Sequence, residues 1–174
     1  MQGSVANMLR SLLVIGAIMS LFVFVFPRVQ PVPPDINVAE TAEQVHESTG
    51  LPISVPANLP EGWVPMRAQY VQMGDGIMTW VAGFETPEGE YAALQQAQDA
   101  TAEWVKTQVN NAPPDGTMMV DGREWAVFER EGSRAQRSIA DHRGAGELST
   151  VITGSATWDE LTVLWESLEP VAGS

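Results

Sequence analysis

The sequence contains no cysteine and only two histidines among its 174 residues. The lack of cysteine excludes disulfide bonds, a thiolate zinc site, a cysteine nucleophile and a lipid anchor of the lipoprotein type. The segment after residue 35 is about 140 residues long, and a domain of that size can bury enough apolar surface to fold without disulfides. We therefore expect a single domain with a self-sufficient hydrophobic core.

Basic residues are also scarce. Arg10 and Arg28 are the only charged residues before Asp35, and the chain from Asp35 onward holds seven basic and 22 acidic residues, a net charge of −15. Nucleic acids and anionic lipid surfaces are negatively charged as well, so both should repel this segment. The charge therefore predicts no nucleic-acid partner. It favours solubility through self-repulsion, with an acidic docking surface for a basic partner as the alternative.

Only one long hydrophobic run is present, SLLVIGAIMSLFVFVF at residues 11–26, and it carries no charge. As a helix it extends about 24 Å, and snorkelling by Arg10 and Arg28 can adapt it to a hydrocarbon core of about 30 Å. We predict a transmembrane helix here, with the lipid bilayer as its partner. A cleaved signal peptide is the alternative, but the run exceeds the usual signal core and Pro27-Arg28-Val29 offers no small-residue cleavage site.

The transmembrane helix sets the predicted domain organisation. Residues 1–10 form a cytoplasmic tail, residues 27–35 (PRVQPVPPD) a proline-rich spacer and residues 36–174 an extracytoplasmic globular domain. The expected localisation is the cell membrane, with a single pass and a cytoplasmic N-terminus. The short N-terminal tail favours this orientation, although the bias in positive charge across the membrane is slight.

Alternation of apolar and polar residues after Trp63, interrupted by glycine turns, predicts seven or eight short strands. Helical periodicity predicts helices at residues 38–48, 101–110 and 157–168, with Asn37 and Asp99 as caps of the first two and a capping box, Thr157-Trp158-Asp159-Glu160, opening the third. The predicted fold class is α+β: an antiparallel sheet of about seven strands with two to three packed helices, preceded by a single N-terminal transmembrane helix.

Four stretches of the sequence are distinctive: LPEGW at 59–63, GFETPEGEYA at 83–92, VDGREW at 120–125 and GSATWDEL at 154–161. Together with the hydrophobic run and the spacer, they resemble an uncharacterised actinobacterial family of membrane-anchored proteins, the domain of unknown function numbered 4245. The resemblance covers nearly the whole chain. It implies a place in the cell envelope of a high-GC Gram-positive bacterium and a single exterior domain, and it assigns no activity and no functional residue.

No group of residues predicts catalysis, a cofactor or a metal, so we assign no catalytic, cofactor-binding or metal-ligating residue. Neither His46 nor His142 adjoins a GxSxG turn, as a serine hydrolase would require. Glu85, Glu88 and Glu90 surround a glycine turn and resemble a solvated acidic loop, with a hard-cation site as the alternative.

Two of the six tryptophans are candidate interaction residues. Trp63 and Trp158 lie at the boundaries of predicted elements, where an indole ring is often half exposed and can stack on a sugar or a peptide; packing under a loop is the alternative. The others fall on faces with apolar periodicity and are expected in the core: Trp80, Trp104, Trp125 and Trp165.

These features predict a non-enzymatic protein. The leading hypothesis is a membrane-anchored extracytoplasmic accessory or interaction domain, attached to a larger membrane-embedded protein complex. The alternative is a module that binds a small envelope ligand (a lipid, glycan or cation), which requires a concave apolar site with a few polar groups between the sheet and a helix. An enzyme is the third hypothesis, and it would need Asp141 or His142 in a deep polar cleft.

Overall fold

A computed structural model describes residues 36–73, 75–132 and 135–171, together with Arg10, Leu12, Ile15 and Gly16. The chain divides into two compact units, Met1–Pro34 and Asp35–Ser174. The predicted transmembrane helix at residues 11–26 lies almost wholly outside the described residues, as do the spacer and most of the N-terminal tail. Within the residues that are described, no helix has the length and apolar character needed to cross a membrane.

Three helices occur among the described residues of the second unit: α1 (Val38–Thr49), α2 (Ala102–Gln108) and α3 (Trp158–Glu166). Each follows a cap residue whose side-chain oxygen accepts a hydrogen bond from a main-chain N–H of the first turn, and these caps are Asn37, Thr101 and Thr157. Such bonds satisfy donors that a helix start would otherwise leave unpaired. The predicted capping box at the start of α3 is confirmed.

The part of this unit that the structure describes also contains nine strands: β1 (Ser54–Pro56), β2 (Val64–Gln72), β3 (Met78–Glu85), β4 (Tyr91–Gln98), β5 (Pro114–Val120), β6 (Arg123–Arg130), β7 (Gln136–Asp141), β8 (Leu148–Gly154) and β9 (Leu168–Pro170). Seven of them form one antiparallel sheet in the order β2-β3-β4-β8-β7-β6-β5, and β1 pairs with β9 in a separate small sheet. The prediction of an α+β domain built on an antiparallel sheet of about seven strands is confirmed.

The large sheet consists of two series of consecutive strands, β2-β3-β4 and β5-β6-β7-β8, which are joined where β4 pairs with β8. This pairing runs from Ala92 opposite Gly154 to Gln98 opposite Leu148. Because neighbouring residues of a strand point to opposite faces, this register fixes what each face carries. The front face carries Trp80, Leu94 and Ile152 and packs against α1, α3 and the segment around Ile53. The back face carries Ala97, Ala140 and Val151 and packs against Trp104 and Val105 of α2.

Two local predictions were wrong. The third helix ends at Glu166 rather than at residue 168, because Leu168 begins β9 and pairs with Pro56 of β1. Asp99 does not cap α2, since its backbone is left-handed (φ 57°) and its Oδ1 accepts a hydrogen bond from Gly146 N at 2.7 Å. Thr101 takes the cap position instead.

Candidate functional site

A groove of about 430 Å³ lies between the front face of the large sheet and the β1–β9 pair. One part of its lining is apolar and is formed by Val120, Trp125, Leu148, Trp165 and Leu168. The other part is polar and charged: Ser54, Gln96, Asp121, Arg123, Asp141, Arg143, Glu147 and Thr150. The volume is within the range of about 300–1,000 Å³ that is usual for small-molecule sites.

The charged part of the groove is organised around Asp141, at the end of β7. Its Oδ2 accepts hydrogen bonds from Arg143 Nε and Nη2, both at 2.9 Å, and lies 3.5 Å from Arg123 Nη1. Burial raises the pKa of the Asp141 carboxyl group above its usual range, although the Arg123 guanidinium group lowers it. Because both arginines are directed at this carboxylate, Asp141 holds them at the groove instead of acting as a free base.

The arginines keep capacity for a ligand. The Arg123 side chain is 53% exposed and the Arg143 side chain 29% exposed, against 15% for Asp141. A guanidinium group has five N–H donors, so neither arginine uses all of its donors on Asp141. Carboxylates of Asp121 and Glu147 also line the groove, which therefore presents both signs of charge beside an apolar wall.

Gln96 ties the small sheet to the floor of the groove. Its Oε1 accepts from Ser54 N at 2.7 Å, and its Nε2 donates to Thr150 Oγ1 at 3.1 Å. Trp125 is different, because its buried Nε1–H has no acceptor within the described part of the chain. Buried polar atoms are nearly always paired, so this N–H is a donor that an oxygen atom of a ligand could satisfy after a small shift of the ring.

The two predicted interaction residues lie elsewhere. Trp63 is half-buried and packs edge-on against Phe84, with ring centroids 6.2 Å apart, and it lines a second depression beside the start of α1. Trp158 is half-buried at the start of α3 and packs against the front-face core. Neither residue lines the groove. Their role in binding a partner stays a prediction.

The two histidines hold main-chain segments together. His46 Nδ1 bonds with the Leu51 carbonyl oxygen at 2.6 Å, and His142 Nε2 bonds with the Ala100 carbonyl oxygen at 2.8 Å. A carbonyl group only accepts, so each of these ring nitrogens donates. Within the described ranges, no group of three or more histidine, aspartate or glutamate side chains is arranged to hold a metal ion.

Three of the distinctive sequence stretches meet at one junction. The turn after β3 is closed by Thr86 Oγ1, which accepts from Glu90 N at 3.2 Å. The next residue, Tyr91, donates its N–H to Ser155 Oγ at 3.1 Å and accepts from Ala156 N at 3.2 Å. Gly62 lies against Pro87 of the turn, where an added Cβ would come within 3.1 Å of the proline ring. These stretches build the fold, and the fourth, VDGREW, supplies groove residues.

Glu160 joins the same junction to α3. Its Oε2 accepts from Thr157 N at 3.0 Å and from Thr157 Oγ1 at 3.1 Å. Burial raises the pKa of Glu160, but hydrogen bonding from Thr86, Thr157 and the Glu88 main chain outweighs this effect, so the pKa lies below its usual range. The buried Oε1 has no hydrogen-bond partner of good geometry among the described residues, so the well-formed hydrogen bonds of the carboxylate are those that Thr157 donates to Oε2.

The fold and the groove define a class of protein: an α+β domain with a seven-stranded antiparallel sheet and a ligand-sized groove between this sheet and the β1–β9 pair. Residues 1–168 match a family model described as "Protein of unknown function (DUF4245)", and the chain belongs to this family. The family indicated by the distinctive stretches is thereby confirmed, while the actinobacterial source and the membrane anchor stay predictions. No curated protein and no solved structure matches the chain.

Proposed function

We propose that this protein is a membrane-anchored extracytoplasmic domain that binds a small amphipathic ligand in the front-face groove. The observation that supports ligand binding most directly is the groove itself, a concave site between the large sheet and the β1–β9 pair, with Trp165 of α3 in its apolar wall and convergent polar groups beside it. This arrangement favours the ligand-binding hypothesis over the accessory-domain hypothesis that the sequence placed first. Binding is favoured over catalysis, because Asp141 is paired with arginines and His142 with a main-chain carbonyl.

Of a lipid, a glycan and a cation, the groove suits a lipid best. Val120, Leu148 and Trp165 can cover an apolar body, while Arg123 and Arg143 offer donors suited to a phosphate group. Asp121 and Glu147 are placed to attract an ammonium group, and the net charge of −15 disfavours a purely anionic ligand. We therefore propose a single molecule with a zwitterionic phosphate-ammonium head as the ligand class.

Replacing Arg123 with alanine should weaken binding of a zwitterionic lipid about tenfold, the usual effect of losing one charge-assisted hydrogen bond. The measurement is a tryptophan-fluorescence titration of the full chain with a short-chain phosphatidylcholine below its micelle concentration, in a detergent without sugar head groups. Trp125 and Trp165 line the groove and should report occupancy.

Arg67→Ala is the matched control for this titration, because Arg67 is exposed on β2 and does not line the groove. It should leave the lipid affinity unchanged. Equal weakening by both substitutions would indicate a general charge effect. Saturable binding of calcium or maltotriose in place of the phospholipid would contradict the proposed ligand class.

The proposed location rests on the amino-acid sequence. Residues 11–26 are uncharged and apolar, and the following Pro27-Arg28-Val29 lacks a cleavage site. An alkaline phosphatase fused after Ser174 should therefore be active, since that enzyme folds productively only after export, and a blot should show the uncleaved mass in the membrane fraction. An inactive fusion would reverse the orientation. An active, shortened and soluble product would indicate a secreted domain without an anchor.

A second candidate function is attachment to a larger membrane-embedded protein complex. β2 is an edge strand of the described sheet, and its Val64 and Met66 are 41% and 50% exposed. Exposed apolar residues on an edge strand favour pairing with another chain. Crosslinking in intact cells, followed by purification in mild detergent and mass spectrometry, should recover a recurrent membrane protein joined to β2. Repeated recovery of this chain alone would contradict the hypothesis.

A further inference from the structure

A second recess, of about 300 Å³, lies on the back face of the large sheet beside the end of α2. Gln95 of β4 lines it, whereas the adjacent residue Gln96 lines the front-face groove. Since consecutive strand residues point to opposite faces, the recess and the groove are separate sites on the two sides of the same strand. The charged residues that line the groove do not line the recess.

The lining of the back-face recess is polar but uncharged. Amide and hydroxyl side chains supply it: Gln95, Gln108, Asn110, Gln136, Thr153 and Ser155. Tyr91 stands at its rim and is 41% exposed. None of the described residues that line the recess is charged, although the chain has 31 Asp, Glu, Lys and Arg residues in total. Because these lining residues offer no charged group to a ligand, the recess favours a ligand without formal charge.

Two side chains in the recess have unused hydrogen-bonding atoms. Gln108 is only 7% exposed, and its Nε2 has no acceptor among the described residues; Gln95 Oε1 is buried and likewise has no donor there. Leaving a buried amide atom unpaired is destabilising, and folded proteins rarely do so. The two atoms form a complementary pair, since one donates and the other accepts.

Two other polar side chains of the recess, Gln136 and Thr153, are paired with each other. Gln136 Nε2 donates to Thr153 Oγ1 at 2.7 Å, and Ser138 Oγ also bonds with Thr153 Oγ1 at 2.7 Å. This network fixes the hydroxyl of Thr153 at the floor of the recess. Among the lining groups, Gln95 Oε1 and Gln108 Nε2 are buried and unpaired with respect to the described residues, so a bound molecule contacts the exposed parts of these two amide groups.

We propose that the back-face recess binds a neutral saccharide that carries an acetamido group. An acetamido group has one N–H donor and one carbonyl acceptor, so it is complementary to side-chain amides such as those of Gln95 and Gln108, which line the recess. Sugar hydroxyl groups both donate and accept, as do the amide and hydroxyl groups around them, and the Tyr91 ring can stack on the apolar face of a sugar ring.

An extended peptide fits this recess less well than a sugar. Peptides that add to a sheet use the free main-chain groups of an edge strand. The strands beneath the recess, β4 and β8, are each paired on both sides, with β3 and β7 as their other neighbours. The main-chain groups of these two strands are therefore not free to pair with a peptide, so the side chains on this face carry the recognition.

The test is an isothermal titration calorimetry experiment in which chitotriose, a trimer of N-acetylglucosamine, is added to the full chain in a detergent without sugar head groups. Wild-type protein should bind it saturably, and Gln108→Leu should lower the affinity about tenfold or abolish binding. Gln44→Leu is the matched control: Gln44 is exposed on α1, and the same chemical change there should leave the affinity unchanged.

Gln108→Leu should fold at least as stably as wild type, because it removes a buried amide whose Nε2 is unpaired. A thermal melt of each variant therefore separates loss of binding from loss of folding, and Gln95→Leu provides a second variant that should also lose binding. No binding by folded wild-type protein, or equal binding by Gln108→Leu, would overturn the proposal. Stronger binding of maltotriose would overturn the acetamido assignment, and competition by a neutral N-acetylated tripeptide would assign the recess to peptides.

Discussion

Replacing Gly154 with alanine should destabilise the domain by about 3 kcal/mol or more, a large share of the usual 5–15 kcal/mol of a folded domain. Gly154 ends β8, and it pairs with Ala92 of β4 on one side and Arg137 of β7 on the other. An added Cβ would overlap the Tyr91 carbonyl oxygen and would lie 2.9 Å from Ala92 Cα. Both are main-chain atoms in the centre of the sheet, so relief requires displacing a strand.

Gly144→Ala is the matched control for the effect at Gly154. Gly144 lies in the exposed loop before β8, its φ is not positive, and no described atom lies within 4 Å of an added Cβ. Urea denaturation followed by far-ultraviolet circular dichroism should show a large loss of unfolding free energy for the first variant and little change for the second. Similar stability of the two variants would contradict the close packing of β4 against β8.

Trp104→Ala should cost about 3–5 kcal/mol of unfolding free energy, as expected for removal of a fully buried tryptophan. The Trp104 ring joins α2 to the back-face core, and its Nε1 donates to Thr79 Oγ1 at 2.9 Å, with both side chains buried. A helix of seven residues is not stable alone, so α2 depends on this contact. The back-face recess, which includes Gln108 of α2, should be lost with it.

Trp158→Ala provides the comparison, because Trp158 is also in a helix but is only half-buried. Its removal should cost clearly less than removal of Trp104. Circular dichroism is the suitable probe for both variants, since each substitution changes the tryptophan fluorescence itself. Equal losses at the two positions would show that Trp104 does not anchor α2 to the sheet.

Turns and helix starts were predictable from the sequence, because each depends on residues that are close together in the chain. Asp121-Gly122 predicted a hairpin because both residues accept a left-handed backbone, and the structure has φ 50° and 74° there. Thr157 and Glu160 predicted the start of α3 through their reciprocal hydrogen bonds. The end of α3 was not predictable, because Leu168 leaves the helix to pair with Pro56, more than a hundred residues earlier.

The sites were not predictable, since each is assembled by register. Arg123 and Asp141 lie on different strands, and the pairing of β6 with β7 brings them 3.5 Å apart. The local sequence gives one weak indication of this charged cluster, the acidic and basic residues close together in Asp141-His142-Arg143. The same tripeptide also fits an ordinary solvated turn. Gln95 and Gln96 are chemically identical neighbours, and only the sheet shows that they serve opposite faces.

The pairing of β1 with β9 has a consequence for a chain that is still being synthesised. One wall of the front-face groove is formed jointly by Pro52 and Ser54 from the start of the domain and by Leu168 and Pro170 from its end, so both ends of the domain are needed to complete it. During synthesis from the N-terminus, the large sheet can pair through β8 before the β9 segment has emerged. A chain cut by a protease or stopped early would keep most of its sheet and lack the groove. Ligand occupancy would thus distinguish finished molecules from unfinished ones.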